Sequence, residues 1–135
     1  MSGKPFLDTN VLVYAFASND PRAAEAELLL SGGGVVSVQV LNEFVNVCRS
    51  KLRLDWSRIR QALNVVRELT GPPLPLTLET HEHALTLAEE QGIPFYDSLI
   101  VAAAILSRCE TIYSEDFQDG RKIGSVTIRN PFRAA

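Results

Sequence analysis

Apolar residues along the chain fall into two kinds of run, short β-branched or aliphatic clusters and longer stripes with helical spacing. Lys4 to Leu7 predicts a short strand, closed by Asp8-Thr9-Asn10, residue types that cap helices and make turns. Val11 to Phe16 can continue as a short buried helix. Asp20-Pro21 then predicts an N-cap with proline at the first helical position, opening a helix over Arg22 to Leu30 that stops at Ser31-Gly32-Gly33-Gly34. Val35-Val36-Ser37-Val38 is a β-branched run suited to a buried strand. In a third helix, from about Val40 to Ser50, Leu41, Phe44, Val45 and Cys48 recur at i, i+3, i+4 and i+7 and form a core stripe.

Asp55-Trp56-Ser57-Arg58 opens a fourth helix, to about Leu69, with Ile59, Leu63 and Val66 inward and its arginines outward. Thr70-Gly71-Pro72-Pro73 ends it, and Leu74-Pro75-Leu76 reads as a short extended piece. Glu79 to Gln91 is amphipathic and closed by Gly92. Asp97 to Arg108 is apolar on every side, the mark of a central helix packed all round. Thr111-Ile112-Tyr113 and Val126-Thr127-Ile128 are the last expected strands. Strands alternating with helices predict an α/β domain with a mostly parallel sheet, whose ligand crevice lies beyond the carboxyl ends of the strands.

The 135 residues suit one domain, 1–135, with no internal repeat or dividing linker. With 46% apolar and 21% charged residues, the composition is that of a globular chain and excludes a disordered one. No stretch approaches the roughly 18 to 20 apolar residues of a membrane helix, and Lys4 to Asp8 follows the start with no apolar signal region. Cys48 and Cys109, far apart in apolar helical contexts, suit reduced core thiols. These features together predict a cytoplasmic protein.

The net charge of -3 conceals a polarised distribution. From Arg49 to Arg67, six bases (Arg49, Lys51, Arg53, Arg58, Arg60, Arg67) face Asp55 alone, whereas from Glu68 to Asp119 only Arg108 opposes ten acids. The tail restores positive charge through Arg121, Lys122, Arg129 and Arg133. Local potential rather than net charge steers a polyanion, so the basic arm suits nucleic acid as well as it suits a solvated helix face.

Four carboxylates occupy informative places. Asp8 follows the first strand, Glu43 lies in the first turns of the helix after the second, Asp97 opens the all-apolar helix, and Asp116 follows the Thr111 to Tyr113 strand. Singly, Asp8 and Asp97 also suit helix caps, Glu43 an exposed helix position and Asp116 a turn. Jointly, a parallel sheet would bring Asp8, Glu43 and Asp116 to one edge, and Asp97 joins them if its helix N-terminus turns that way. Clustered carboxylates repel one another, and a hard divalent cation such as Mg²⁺ or Mn²⁺ makes such a cluster favourable. Other chemistries lack their residues. His81 and His83, two apart on a helix, do not form a metal pair. Ser31-Gly32-Gly33-Gly34 lacks a P-loop's Lys-Ser/Thr, no GxSxG elbow occurs, and Asn10 stands where an aspartyl phosphatase would have a second aspartate.

Four segments in order carry a family resemblance: Phe6-Leu7-Asp8-Thr9-Asn10-Val11-Leu12-Val13-Tyr14, Ser37-Val38-Gln39-Val40-Leu41-Asn42-Glu43-Phe44, Pro94-Phe95-Tyr96-Asp97-Ser98-Leu99-Ile100-Val101-Ala102-Ala103-Ala104 and Tyr113-Ser114-Glu115-Asp116-Phe117. From Phe6 to about Ile128 the chain resembles a PIN domain, specifically the VapC-type ribonuclease toxins of prokaryotic toxin–antitoxin pairs. The resemblance implies a three-layer α/β/α domain with a central, mostly parallel five-stranded sheet. It also implies an endoribonuclease dependent on Mg²⁺ or Mn²⁺, whose metal-binding and catalytic acids map onto Asp8, Glu43, Asp97 and Asp116. Asn10 and Ser114 match polar positions that would orient Asp8, while Glu115 and Asp119 stand close enough to share or take the role of the fourth acid.

The implied chemistry is in-line attack of metal-activated water on an RNA phosphodiester, leaving a 5′-phosphate and a 3′-hydroxyl. Arg49, Lys51, Arg53, Arg58 and Arg60 would hold the RNA backbone, and structured RNA such as tRNA or rRNA loops would be the target. The resemblance further implies a homodimer and a cognate antitoxin, for which the helices around Val11 to Phe16 and Arg22 to Leu30 are candidate surfaces. Two rival uses of the fold are a non-catalytic RNA-binding or scaffold module, against which a self-repelling acid cluster argues, and a metal-dependent nuclease acting on DNA.

Overall fold

Two short strands fix the frame. β1 (Phe6–Leu7) and β2 (Thr111–Tyr113) pair in parallel with Leu7 opposite Tyr113, although about a hundred residues of chain separate them. In the computed structural model, which describes residues 3–132, the intervening chain forms α1 (Thr9–Ala15), α2 (Ala23–Ser31), α3 (Val38–Ser50), α4 (Trp56–Thr70), α5 (Leu78–Gln91) and α6 (Phe95–Leu106). β3 (Lys122–Ile123) and β4 (Val126–Arg129) complete the strands, and Arg133 of the basic tail lies outside the described residues. The layering is the expected α/β/α. The sheet order is β1-β2-β4-β3, parallel except for the antiparallel β3–β4 hairpin.

The sheet has four strands rather than the expected five. Val35–Val38 does not persist as a strand, because Ser37 caps α3 through its hydroxyl, which accepts the Val40 N–H at 3.3 Å, and the helix begins at Val38. Single parallel bridges join Val35 to Phe6 and Ser37 to Leu74, so this segment lies along β1 without the length of a strand. Pro75 has no N–H with which to extend the second bridge. β3 was not expected from the sequence; it pairs only with β4, at the sheet edge.

The helices match the apolar stripes with shifted ends. α2 starts after Arg22 rather than after Asp20, because the Asp20 carboxylate accepts both the backbone N–H and the guanidinium of Arg22. α3 buries Val40, Phe44 and Cys48, and α4 buries Ile59, Ala62 and Val66 while Arg58, Arg60 and Arg67 stay exposed. α6 is the most enclosed helix, with every residue from Ser98 to Ala104 buried. Each fully buried Phe, Leu or Ile contributes roughly 1.5–3 kcal/mol of apolar transfer, and Phe6, Phe44, Ile100, Ile112 and Ile128 meet in one core. Cys48 and Cys109 are buried free thiols, and burial pushes the Cys48 thiol up to about 11, so it stays protonated.

The three consecutive glycines after α2 have different roles. Gly32 is the exposed α2 C-cap with an ordinary right-handed backbone, and Gly33 has φ +76. Gly34 is the position of close approach: a Cβ there would lie 2.8 and 2.9 Å from Leu7 side-chain carbons and 3.0 Å from the Pro5 carbonyl oxygen. Gly34→Ala is therefore expected to destabilise the protein by about 1–3 kcal/mol, while Gly32→Ala leaves stability unchanged or raises it by less than about 1 kcal/mol. Urea unfolding midpoints of the two variants check this, and equal midpoints would contradict it.

Candidate active site at the carboxyl edge of the sheet

The parallel register places the residues that follow β1 and β2 side by side. The Asp8 N–H donates to the Tyr113 carbonyl at 3.0 Å, and the Ser114 hydroxyl donates to Asp8 Oδ2 at 2.7 Å. Asp8 Oδ1 accepts the Thr9 N–H at 2.7 Å, so Asp8 is the N-cap of α1 as well as a member of the carboxylate group. Its residue exposure is 3%, and Ser114 is fully buried.

Asn10 and Ser114 organise the loop after β2. Asn10 Nδ2 donates to Asp116 Oδ2 at 3.2 Å and to Ser114 Oγ at 3.3 Å, and the Asp116 N–H donates to Ser114 Oγ at 3.0 Å. Glu43 is half-buried on α3, its Oε1 accepting from the Thr9 hydroxyl and its Oε2 from Gln39 Nε2, both at 3.1 Å. Asp97 is the third residue of α6. Pro94 occupies the N-cap position, so Asp97 does not cap the helix, and its carboxyl accepts no hydrogen bond among the described residues. α6 enters the sheet edge N-terminus first, as a crossover helix preceding a parallel strand must, and so Asp97 reaches the same edge.

The two remaining acids are engaged elsewhere. Glu115 accepts from Arg22 Nη1 at 3.0 Å and from the Tyr14 hydroxyl, while the Arg22 guanidinium lies 3.7 Å from the Tyr14 ring centroid. Burial, then the Glu115 hydrogen bond, pushes the Tyr14 hydroxyl up to about 12, which keeps it a donor. Asp119 Oδ1 accepts the Asn130 N–H at 2.8 Å. Asp116 is the acid of this loop tied to Asp8 through shared partners.

Thr9, Gln39, Tyr14 and Arg22 were not singled out from the sequence as site-supporting residues. The Gln39–Glu43 spacing of i, i+4 was a usable signal once the helix is known to start at Val38. Nothing in the sequence marks Arg22 as the partner of Glu115.

A cleft of about 300 Å³ opens beside the acids, lined by Thr9, Asn10, Val13, Tyr14, Glu43, Val47, Lys51 and Asp116. Of the basic arm, Lys51 alone lines it. Arg58 lines a separate groove with Phe16, Leu54 and Val65, and Arg49, Arg53 and Arg60 are exposed outside both.

Electrostatically the group is under strain. Burial pushes the Asp8 carboxyl up to about 7, against the pull of the Ser114 and Thr9 hydrogen bonds, and the negative charges of Asp116 and Glu43 raise it further. Asp97 is raised too, by burial first and then by Glu43 and Asp116. Shared polar partners link the acids: Ser114 and Asn10 connect Asp8 to Asp116, and Thr9 connects Asp8 to Glu43. Among the described residues, no three or more Asp, Glu, His or Cys side chains are grouped so as to hold a metal ion between them. The donor set still fits Mg²⁺ or Mn²⁺, since it consists of hard oxygens, and Mg²⁺ keeps several waters and takes only one or two carboxylates directly.

The sign of the Asp8 shift sets a pH dependence. Its pKa is 3.8 ordinarily and about 7 in the fold, so the folded state binds the proton more tightly. That stabilisation is full below about pH 4 and is lost as pH rises through about 7. In EDTA, wild-type protein is expected to lose about 2–3 kcal/mol between about pH 5 and about pH 8 that Asp8→Asn does not lose. Urea unfolding of both proteins at the two pH values measures the difference, and parallel losses would contradict it.

Solved structures share this fold. A chain of a toxin–antitoxin complex from Klebsiella pneumoniae is 23% identical with a TM-score of 0.72, over 96% of this chain and 99% of that one. A chain of VapBC2 from Rickettsia felis, bound to a DNA fragment from their promoter, is 22% identical with a TM-score of 0.66, over 93% and 96%. Mycobacterium tuberculosis VapC20, described as a sarcin–ricin loop cleaving toxin, is 18% identical with a TM-score of 0.67, over 84% and 90%. Comparison with curated protein sequences gives no significant match. The PIN domain model matches residues 6–119, which contain all four carboxylates, and the chain belongs to the PIN domain family.

Proposed function

We propose that this chain is a VapC-type endoribonuclease, dependent on a divalent cation and acting as the toxin of a toxin–antitoxin pair. The observation that carries the reading is the buried Asp8 carboxylate, fixed by Ser114 and Thr9 at the sheet edge and acted on by the negative charges of Asp116 and Glu43. Capping α1 accounts for one oxygen of Asp8, and a cation would offset the repulsion from the neighbouring acids. The family supports a nuclease, the similar structures of toxin–antitoxin complexes support an antitoxin partner, and a relative described as cutting the sarcin–ricin loop supports RNA as substrate.

Asp8, Glu43 and Asp97 would hold a hydrated Mg²⁺ or Mn²⁺, one or two of them directly and the rest through its waters, with Asp116 completing the site directly or through water. When bound, such an ion supplies an acidified water and positive charge against the phosphoryl oxygens. The chain's own contribution is positional. Ser114 and the Thr9 N–H hold both oxygens of Asp8, the Thr9 hydroxyl and Gln39 hold those of Glu43, and Asn10 holds Asp116. Orienting groups of this kind fix ligand geometry. Lys51, on the rim of the cleft, and Arg49, Arg53, Arg58 and Arg60 beyond it would hold the RNA backbone, giving affinity with little sequence choice. Structured RNA such as tRNA or rRNA loops is the target class, a homodimer the working form, one PIN domain the whole chain, and the cytoplasm its place. No described helix is long and apolar enough to cross a membrane.

Incubation with total tRNA and rRNA is expected to give discrete cuts with 5′-phosphate ends in Mg²⁺ or Mn²⁺ and none in EDTA. Asp8→Asn and Asp97→Asn are expected to lose at least about a hundredfold in rate, a range common for removal of a group that stabilises the transition state. Equal cleavage by the variants, or cleavage in EDTA, would overturn the proposal. Preference for a matched DNA oligonucleotide would keep the site and change the substrate. For the fourth acid, Asp116→Asn is expected to lower the rate at least about tenfold, while Glu115→Gln and Asp119→Asn change it only a few-fold. The reverse order would reassign that role.

A further inference from the structure

We propose that Trp56 is a stacking platform for an unpaired RNA base, set in a basic face that runs from the carboxylate cleft onto α4. The inference rests on the RNA reading above and adds to it a recognition residue outside the acid cluster. Trp56 is the only tryptophan of the chain and is 57% exposed at the first position of α4. The helix packs through Ile59, Ala62 and Val66, so its attachment to the core does not need the indole. The ring is nonetheless held in place. The Arg49 guanidinium lies 4.4 Å from a Trp56 ring centroid, and Arg49 Nη1 also donates to the Leu54 carbonyl at 3.2 Å. A cation–π contact covers part of the ring and still leaves more than half of the residue in water.

The surroundings of the ring are cationic. Trp56, Arg60, Asn64 and Arg67 recur at i, i+4, i+8 and i+11, one face of α4, and all four are exposed. The local acid, Asp55, accepts the Arg58 N–H as N-cap of the helix. Between α3 and α4 the turn is tight: the Leu52 and Leu54 N–H groups return to the Val47 and Cys48 carbonyls, and Arg53 has φ 56. On the α3 side of that turn, Glu43, Val47 and Lys51 all line the cleft at spacings of four. Glu43 and Lys51 are therefore roughly 12 Å apart along the axis, and the chain continues from Lys51 through this turn to Trp56.

An aromatic platform interleaved with cations is the arrangement by which single strands are held, with bases stacking on rings while the backbone tracks positive charge. Specific RNA recognition likewise uses unpaired bases on aromatic side chains. Tryptophan and arginine also occur together at protein–protein interfaces; the excess of cations around this ring, with Arg53 and Arg58 flanking it in sequence and Arg49 on its face, favours a polyanion.

Because Trp56 is the only tryptophan, its emission reports on the site directly. In EDTA, with RNA left uncut, titration of the full chain with a short mixed-sequence single-stranded RNA is expected to quench Trp56 emission, and the same sequence as a duplex to quench it far less. Trp56→Ala is expected to weaken single-strand binding about tenfold or more without changing its salt dependence. Arg60→Gln is expected to reduce the salt slope by about 0.7, and Trp56→Phe to retain most of the affinity. Circular dichroism and thermal melting of Trp56→Ala, expected to match wild type, separate a lost contact from a lost fold. With intact cleavage in Mg²⁺, Trp56→Ala is expected to raise KM and leave kcat unchanged, the pattern of uniform binding.

RNA binding with unmoved emission and unaltered Trp56→Ala affinity would overturn the platform, as would equal quenching by the duplex. Emission that responds only to a protein partner would overturn it too, assigning the ring to that interface. Quenching by RNA that is never cut would support the platform and sink the nuclease reading. Cleavage that Trp56→Ala leaves wholly unaffected would do the opposite. A folded protein that neither binds nor cuts RNA ends both.

Discussion

Everything at the carboxyl edge depends on one strand register. Pairing Leu7 with Tyr113 brings Asp8 against Ser114 and buries a carboxylate where water cannot solvate it. The hydrogen bonds from Ser114 and Thr9 offset part of that desolvation, and the neighbouring negative charges work against it, which is why the carboxyl stands near 7. A slip of one residue would move Asp8 to the other face of the pleat and separate it from Ser114. The register is secured from outside the site, by Phe6, Leu7 and Ile112 in the core and by Gly34, which lets Val35 and Val36 pass close beside β1.

Around that carboxylate, polar side chains keep apart charges that would otherwise compete. Thr9 serves both Asp8 through its N–H and Glu43 through its hydroxyl, so α1 and α3 are tied at the point where their acids approach. Arg22 draws Glu115 away from the cluster and onto Tyr14, which binds the start of α2 to the loop after β2 and leaves Asp116 toward the cleft. Along α3, Glu43 and Lys51 set negative and positive charge about two helical turns apart on the wall of one cleft.

Much of this was legible in the sequence. The core stripe of α3, the inward Ile59 and Val66, and the all-buried α6 follow from spacing, because burial on a helix repeats with its turn. Three of the four acids were found for a related reason: Asp8, Asp97 and Asp116 each stand beside the end of an apolar run, where a chain leaves the core and a polar group can face a crevice, whereas Glu43 lies in the second turn of α3. Less legible were elements that depend on partners distant in sequence. Val35–Val38 has the composition of a strand, yet the Ser37 cap turns it into a helix start. Asp97 resembles a cap and is not one, and Asp20 is occupied by Arg22 rather than by a helix. β3 is two residues long, too short to carry a period.

The sequence by itself determined which segments are apolar enough to pack, where each leaves the core, and therefore which acids stand at element ends. Those are local properties, set by side-chain chemistry and periodicity within a few turns of chain. Only the tertiary structure decided that Asp8 meets Ser114, that Glu43 is held by Thr9 and Gln39, that Glu115 is claimed by Arg22, and that Lys51 alone of the basic arm reaches the cleft. Three of these contacts join residues 34 to 106 positions apart. Their geometry follows from how sheet and helices close around a shared core, and no short-range pattern contains that.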